Sequence, residues 1–194
     1  MNPSSLLEQA ARSVTVPSSS VVEALLQAEK TARQTKVRYS FEQLVGNWRL
    51  RFVTGTKKTR SRAGVVLGAG RYIPRLITIQ LSYSITAIPD AEPPIQAGRV
   101  ENSVELGALK FILTGPTKWL PKRNILAFDF TRMTVQLWGK TVYRGNIRGG
   151  EGTEAEFYRQ GVGKQAFFAY FWVSEDAIAA RGRGGGLALW GRQV

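Results

Sequence analysis

The segment from Ile77 to Thr86 alternates apolar and polar side chains without exception. Isoleucine, leucine and tyrosine occupy the odd-numbered positions, and threonine, serine and glutamine occupy the even-numbered ones. A period of two places every apolar side chain on one face of an extended chain, whereas a helix would scatter them around its surface. The segment is therefore predicted to be a β-strand with one face buried.

The same period recurs along most of the chain after residue 45. Trp48, Leu50 and Phe52 are predicted to share one face of a strand, with Arg49 and Arg51 on the other. Further strands are predicted at 99–106, 108–114, 124–130, 133–143, 166–173, 177–181 and 186–191. Many short strands without long intervening helices are typical of a closed antiparallel barrel or a sandwich.

The N-terminal part of the chain has a helical pattern instead. Helices are predicted at about 4–13, capped by Ser4 or Ser5, and from 18–20 to about 33. The second helix has an apolar stripe, for which we weigh two roles: packing on the barrel, which is favoured, or docking on a membrane or partner. Its members are Val21, Val22, Leu25, Leu26, Ala28 and Ala32. The predicted domains are a helical segment, 1–38, and a barrel, 39–194.

The chain contains neither cysteine nor histidine. Zinc, copper and non-haem iron sites usually draw on these residues, so no metal site of that kind is predicted. Catalytic machinery built on Ser-His-Asp or Cys-His is excluded. Since no carboxylate, lysine or tyrosine spacing indicates another reaction, no catalytic residue is assigned and the protein is predicted not to be an enzyme.

Positive charge is concentrated on the predicted barrel. The net charge is +13, and no acidic residue occurs from Gln43 to Pro89. Such a surface attracts nucleic acid, anionic lipid headgroups or acidic proteins. A basic docking face is predicted in two loops, the second carrying an exposed Trp119 and Leu120. Its residues are Lys57, Lys58, Arg60, Arg62, Lys118, Lys122 and Arg123.

Membrane-spanning and leader segments are not predicted. The longest apolar run, Ala166 to Val173, is far shorter than the ~20 residues that cross a bilayer. The N-terminus lacks the pattern of a secretory signal, and the early Glu8 and Glu23 are atypical of a transit peptide.

Because residues 166–173 are apolar on both faces, other side chains, a partner or lipid must cover the outer face of this strand. Residues 145–164 lack periodicity and are predicted to be a long loop or a lid.

Gly46-Asn47-Trp48 resembles the Gly-x-Trp motif of lipocalin-type barrels. In that motif the glycine permits a close turn and the tryptophan plugs the closed end of the barrel, with an arginine from a late strand across its ring. Arg181 or Arg192 is expected to take that role, with Arg181, beside Gly182, favoured. The predicted fold class is therefore mainly β, a lipocalin-like antiparallel β-barrel with a short N-terminal helical segment.

Two longer segments resemble the plastid-lipid-associated protein family, also called fibrillins. Leu44 to Phe52 resembles the family's opening strand, and Trp172 to Gly182 resembles its C-terminal signature. Ser174 and Ile178 depart from that signature, where the family often has aspartate and arginine. The resemblance implies a cyanobacterial member, peripheral on the cytoplasmic side of the thylakoid membrane.

The resemblance also implies a function, binding of a lipid, a quinone such as plastoquinone, or a carotenoid. The partner would be an anionic thylakoid lipid surface or an acidic photosynthetic protein complex. We predict that aromatic side chains line the ligand cavity: Trp48, Phe52, Tyr83, Phe111, Phe128, Phe130, Trp138, Tyr170 and Trp172. An eight-stranded barrel is just wide enough either to fill itself or to hold one small ligand.

Three other functions compete with lipid binding. The first alternative is a structural or assembly subunit that docks through its basic face on an acidic photosystem or phycobilisome. A bilin-handling lipocalin is the second, and the fibrillin-like C-terminal signature disfavours it. The third is nucleic-acid binding, for which Arg181 to Gly186 has the composition of an RGG segment. A glycine-rich turn between two strands explains that segment better, so nucleic acid is not an expected partner.

Overall fold

The computed structural model describes residues 2–55, 70–86 and 96–193. Two helices open the chain, α1 (Pro3–Arg12) and α2 (Ser18–Thr35), close to the predicted ranges. The α1 cap is Asn2, whose Oδ1 accepts from the Ser4 N–H at 3.1 Å, and not Ser4 or Ser5. A 3₁₀ turn, Glu42–Leu44, follows.

Eleven strands occur within the described residues. They are β1 (Gly46–Val53), β2 (Arg71–Tyr72), β3 (Ile77–Ile85), β4 (Gln96–Leu106), β5 (Leu109–Leu120), β6 (Ile125–Phe128), β7 (Arg132–Leu137), β8 (Lys140–Asn146), β9 (Ala166–Val173), β10 (Ala177–Gly182) and β11 (Leu187–Gln193). Eight of them form a closed antiparallel barrel in the order β4-β3-β1-β11-β10-β9-β6-β5, closed by the pairing of β4 with β5. The predicted fold class is confirmed.

Three barrel strands, β3, β4 and β5, continue past the barrel at one end, where β7 and β8 join them. Residues 117–120 of β5 pair with β6, within the barrel. Residues 109–114 of the same strand pair with β7, and β7 pairs with β8. We call residues 77–79, 103–106, 109–114 and 132–146 the projecting sheet. The single strand predicted at 133–143 is wrong, because Trp138 and Gly139 turn the chain between β7 and β8.

The barrel interior is filled by packed side chains. Phe41 and Leu44 precede β1 and close one end, where Trp48 is buried and its Nε1 donates to the Leu44 carbonyl at 2.7 Å. The rest of this core comes from all around the barrel: Leu81, Tyr83, Val100, Trp119, Leu126, Tyr170, Ile178, Ala180, Ala188 and Trp190. Most of the predicted cavity is therefore occupied by the protein's own core.

A second core lies outside the barrel, beneath the helices. Val21 and Leu25 of α2 are fully buried there against Phe171 and Trp172 of β9. The apolar stripe of α2 thus packs on the barrel and supplies the cover that residues 166–173 require. Leu26 is the exception, because it lies at the edge of the stripe and is 47% exposed. An ion pair adds to the docking, since Arg181 Nε donates to Glu29 Oε1 at 2.7 Å.

Two β-bulges change which side chains face inward. The register of β1 against β11 shifts between Leu50 and Phe52, so Phe52 belongs to the outer core and packs edge-on against Tyr72 at 5.1 Å. The predicted common face of Trp48, Leu50 and Phe52 is wrong because the extra residue of a bulge reverses the alternation. A similar shift between β9 and β10 places Phe171 and Trp172 in the outer core.

Candidate ligand site at the open end of the barrel

The closed end of the barrel contains the predicted Trp–Arg contact, but with the other arginine. Trp48 and Arg192 are direct partners across β1 and β11, and the Arg192 guanidinium lies 4.1 Å from the centroid of the Trp48 ring. Arg181 belongs to β10 and pairs with Glu29 of α2 instead. The preference for Arg181 in the Gly46–Trp48 motif is therefore wrong.

A cleft of about 590 Å³ lies at the opposite end, where β6 and β10 end and β9 begins. We call it the mouth cleft. Its aromatic lining is Phe128, Phe157, Phe167 and Phe168, and its charged lining is Asp129, Arg148, Glu156, Lys164 and Arg183. Clefts of this size are typical of small-molecule sites, which combine apolar walls with a few polar groups.

The aromatic floor of the mouth cleft continues the barrel core. The Phe128 ring stacks on Phe168 with centroids 5.1 Å apart, and Phe168 meets Trp190 edge-on at 5.2 Å. Phe130 contacts Phe128 from the side at 5.4 Å. Because these rings rest on a filled core, a ligand would contact their exposed edges and would not enter the barrel deeply.

One wall of the mouth cleft comes from the segment predicted as a loop or lid. It contains a short helix, α3 (Glu154–Arg159), packed on the outside of β5. Arg99 forms an ion pair with Glu154 at 3.0 Å, and the Gln165 amide donates to the Phe157 carbonyl at 2.6 Å. Burial alone would raise the pKa of Glu154, but hydrogen bonds from Arg99 and Thr131 outweigh it and hold that pKa below its usual value.

Lys118 attaches this segment to the barrel. It lies in β5 with its side chain on the outer face, 2% exposed, and its Nζ donates to the carbonyls of Phe157 at 3.0 Å and of Gln160. Burial lowers the pKa of Lys118. The carbonyls at the end of α3 carry partial negative charge, so the ammonium group acts as a C-terminal cap.

The predicted basic docking face is thus not one surface. Lys118 and Trp119 are buried in a strand and not exposed in a loop, because β5 runs on to Leu120. Lys122 and Arg123 are exposed in the 3₁₀ turn Pro121–Arg123 at the closed end. The four remaining residues, Lys57, Lys58, Arg60 and Arg62, lie outside the described residues.

The nine predicted cavity aromatics are distributed over four environments. Trp48, Tyr83 and Tyr170 are buried inside the barrel, where the two tyrosine hydroxyls are 2.9 Å apart. Phe128 lines the mouth cleft and Phe130 lies beside it. The other four lie outside the interior core: Phe52 and Trp172 beneath the helices, and Phe111 and Trp138 exposed on the projecting sheet.

Sequence reasoning missed the cations around the mouth cleft. Arg183 lies in the β10–β11 turn, where the Gly182 N–H donates to the Gly186 carbonyl at 2.9 Å and Gly185 has φ +85°. The glycine-rich run is therefore the expected turn between strands. Arg148 forms an ion pair with Asp129 at 2.9 Å, and Lys164 is exposed. The Arg-Gly-Arg sequence at 181–183 was the one signal in the sequence that could have indicated a cation at this site.

No protein-family model matches this sequence, and no curated protein sequence matches it either. The resemblance to the plastid-lipid-associated proteins therefore stays a hypothesis that rests on two short motifs. Within the described ranges, no helix has both the length and the apolar character needed to cross a membrane.

Proposed function

We propose that the protein binds an amphipathic lipid or isoprenoid in the mouth cleft and catalyses no reaction on it. The lining of the mouth cleft supports this most directly. Within about 590 Å³ it brings the exposed edges of phenylalanine rings close to three cationic side chains, those of Arg148, Lys164 and Arg183. The apolar part of a ligand would lie on Phe128, Phe167 and Phe168. A carboxylate, phosphate or quinone oxygen would face Lys164 and Arg183.

The resemblance to fibrillins supplies the proposed setting. A quinone such as plastoquinone, a carotenoid or a membrane lipid would be the ligand, taken up at the cytoplasmic side of a photosynthetic membrane. All three have a long apolar body, and a body longer than the cleft would extend along the apolar side of the projecting sheet. Phe111 and Tyr143 are exposed there.

A second candidate function, an assembly subunit that binds an acidic protein, is favoured by a different feature. Arg49, Arg51 and Arg75 line a recess of about 180 Å³ beside the end of α1, and within the described residues none of them forms an ion pair. Burial and the charge of Arg49 lower the pKa of Arg51. A carboxylate from a partner would relieve this repulsion.

Native mass spectrometry combined with solvent extraction, on protein purified from its own host, tests the first proposal. We expect a co-purified lipid, quinone or pigment, and we expect Ala166→Trp to remove it, because Ala166 is exposed and lines the cleft. Gln27→Trp adds the same side chain at an exposed position of α2 and is the matched control. Wild-type protein free of any apolar molecule, or an Ala166→Trp variant that retains it, would contradict the proposal.

A further inference from the structure

Three neighbouring turns end the projecting sheet at one level. Ile77 pairs with Leu106, Leu106 with Leu109, and Leu109 with Leu137, so the β2–β3, β4–β5 and β7–β8 turns lie side by side. Each turn exposes a large apolar side chain. Leu76 is 83% exposed, Leu106 56% and Trp138 78%. We call these three residues the tip edge.

Trp138 occupies a backbone conformation that does not favour it. Trp138 and Gly139 have φ values of 49° and 74°, and the Trp138 N–H donates to the Ala108 carbonyl at 2.8 Å. Two-residue hairpin turns with positive φ at both positions prefer Asn-Gly, because asparagine tolerates the left-handed region better than bulky residues do. The backbone is therefore strained at Trp138, although the side chain remains 78% exposed among the described residues.

The charges around the tip edge are mainly positive. Arg75 precedes Leu76, Lys140 pairs with Leu137, and Arg144 is exposed on the outer strand β8. Glu105, next to Leu106 in β4, is the described acidic residue nearest to the three turns. It is paired with a cation, since its Oε2 lies 3.9 Å from the Nζ of Lys110 in β5. The edge thus combines protruding leucine and tryptophan side chains with a cationic surround.

We infer that the tip edge docks on an anionic lipid bilayer, with Trp138 at the level of the headgroups. Tryptophan is enriched at membrane–water interfaces, and lysine and arginine beside it bind anionic headgroups. A nucleic acid would need several stacking rings in a groove, and this edge offers one indole. Docking here directs the open end of the barrel, and with it the mouth cleft, toward the lipid.

The inference deepens the proposed function, because a bilayer is the source of the proposed ligand, but the two can fail separately. Vesicle binding is measured here on ligand-free protein. The Ala166→Trp variant, whose cleft is blocked, is expected to bind vesicles like the wild type. Wild-type protein that binds vesicles but carries no apolar ligand would contradict only the proposed function. Wild-type protein that carries the ligand but binds no vesicle would contradict only the docking edge.

Trp138 makes a direct optical test feasible. The other four tryptophans, Trp48, Trp119, Trp172 and Trp190, are at most 9% exposed. Vesicles of phosphatidylglycerol and phosphatidylcholine should therefore shift the emission of Trp138 to the blue, and brominated phosphatidylcholine in the same vesicles should quench it. Vesicles of phosphatidylcholine alone should give neither effect at the same lipid concentration.

The decisive variant is Trp138→Asn combined with Leu76→Ser. Asparagine suits the positive φ of the turn, so thermal stability should not fall, yet cosedimentation with anionic vesicles should drop at least tenfold. Leu26→Ser, at a 47% exposed position of α2, is the matched control and should bind normally. The inference is overturned if the wild type binds no anionic vesicle, if the double variant binds like the wild type, or if Leu26→Ser loses binding equally.

Discussion

The Nζ of Lys118 lies 5.1 Å from the centroid of the Phe157 ring while it donates to the carbonyl oxygen of the same residue. A strand on the barrel and a short helix 39 residues further along the chain are thereby joined by one buried cation. Since α3 has six residues and little helical stability of its own, this contact holds one wall of the mouth cleft in place.

Lys118→Met is expected to loosen that wall. Methionine retains the apolar stem but leaves the carbonyls of Phe157 and Gln160 without their donor, at a cost of about 1–3 kcal/mol in the free energy of unfolding. Hydrogen exchange should accelerate in residues 154–165, and ligand affinity should fall. Lys122→Met, at an exposed position four residues later, is the control and should change neither. Unaltered exchange in Lys118→Met would show that the buried cation does not hold α3.

The Trp48–Arg192 pair should show measurable coupling. Burial of Trp48 predicts a loss of about 3–5 kcal/mol for Trp48→Ala. In a double-mutant cycle of Trp48→Leu and Arg192→Ala, a coupling energy of about 0.5–2 kcal/mol is expected from the cation–π contact, because leucine has no ring. The same cycle with Arg181→Ala should give a value near zero, because Arg181 binds Glu29. Equal coupling to both arginines would contradict the structure.

Acid should weaken the docking of α2 through Glu29. Burial alone would raise the pKa of Glu29, but its hydrogen bonds and charge interactions with Arg181 and Arg33 outweigh burial and leave the pKa below 4.5. A lowered pKa in the folded state contributes stability that is complete above pH 4.5 and is lost as the pH falls through the folded value. Urea unfolding between pH 3 and 7 should therefore show a shallower pH dependence for Glu29→Gln than for wild type. Glu23→Gln, at an exposed position of the same helix, should retain the wild-type slope.

Alkali should act on the buried tyrosine pair. Burial raises the pKa values of Tyr83 and Tyr170 far above 10, and the two hydroxyl groups form a hydrogen bond with each other. A raised pKa in the folded state contributes stability that is present below pH 10 and lost as the pH rises further. A spectrophotometric titration at 295 nm should show these two phenols ionising only together with unfolding. Their ionisation in folded protein would place them outside the core.

Local sequence pattern was sufficient for the fold class and for most of the elements. The alternation of residues 77–86 became β3, the apolar stripe of α2 became a buried helix face, and Gly46 and Trp48 lie at the closed end. Each depends on the order of neighbouring residues, because the periods of strand and helix decide which side chains share a face.

Pairing between distant strands decided the rest. Only the register of β1 against β11 selects Arg192 as the partner of Trp48, and only the bulge in β1 turns Phe52 outward. The local pattern predicts a surface loop at Lys118, whereas in the structure this residue lies in β5 and is covered by α3. The mouth cleft and the tip edge are likewise formed by residues far apart in the chain, and their positions depend on strand register and bulges, which leave no period in the sequence.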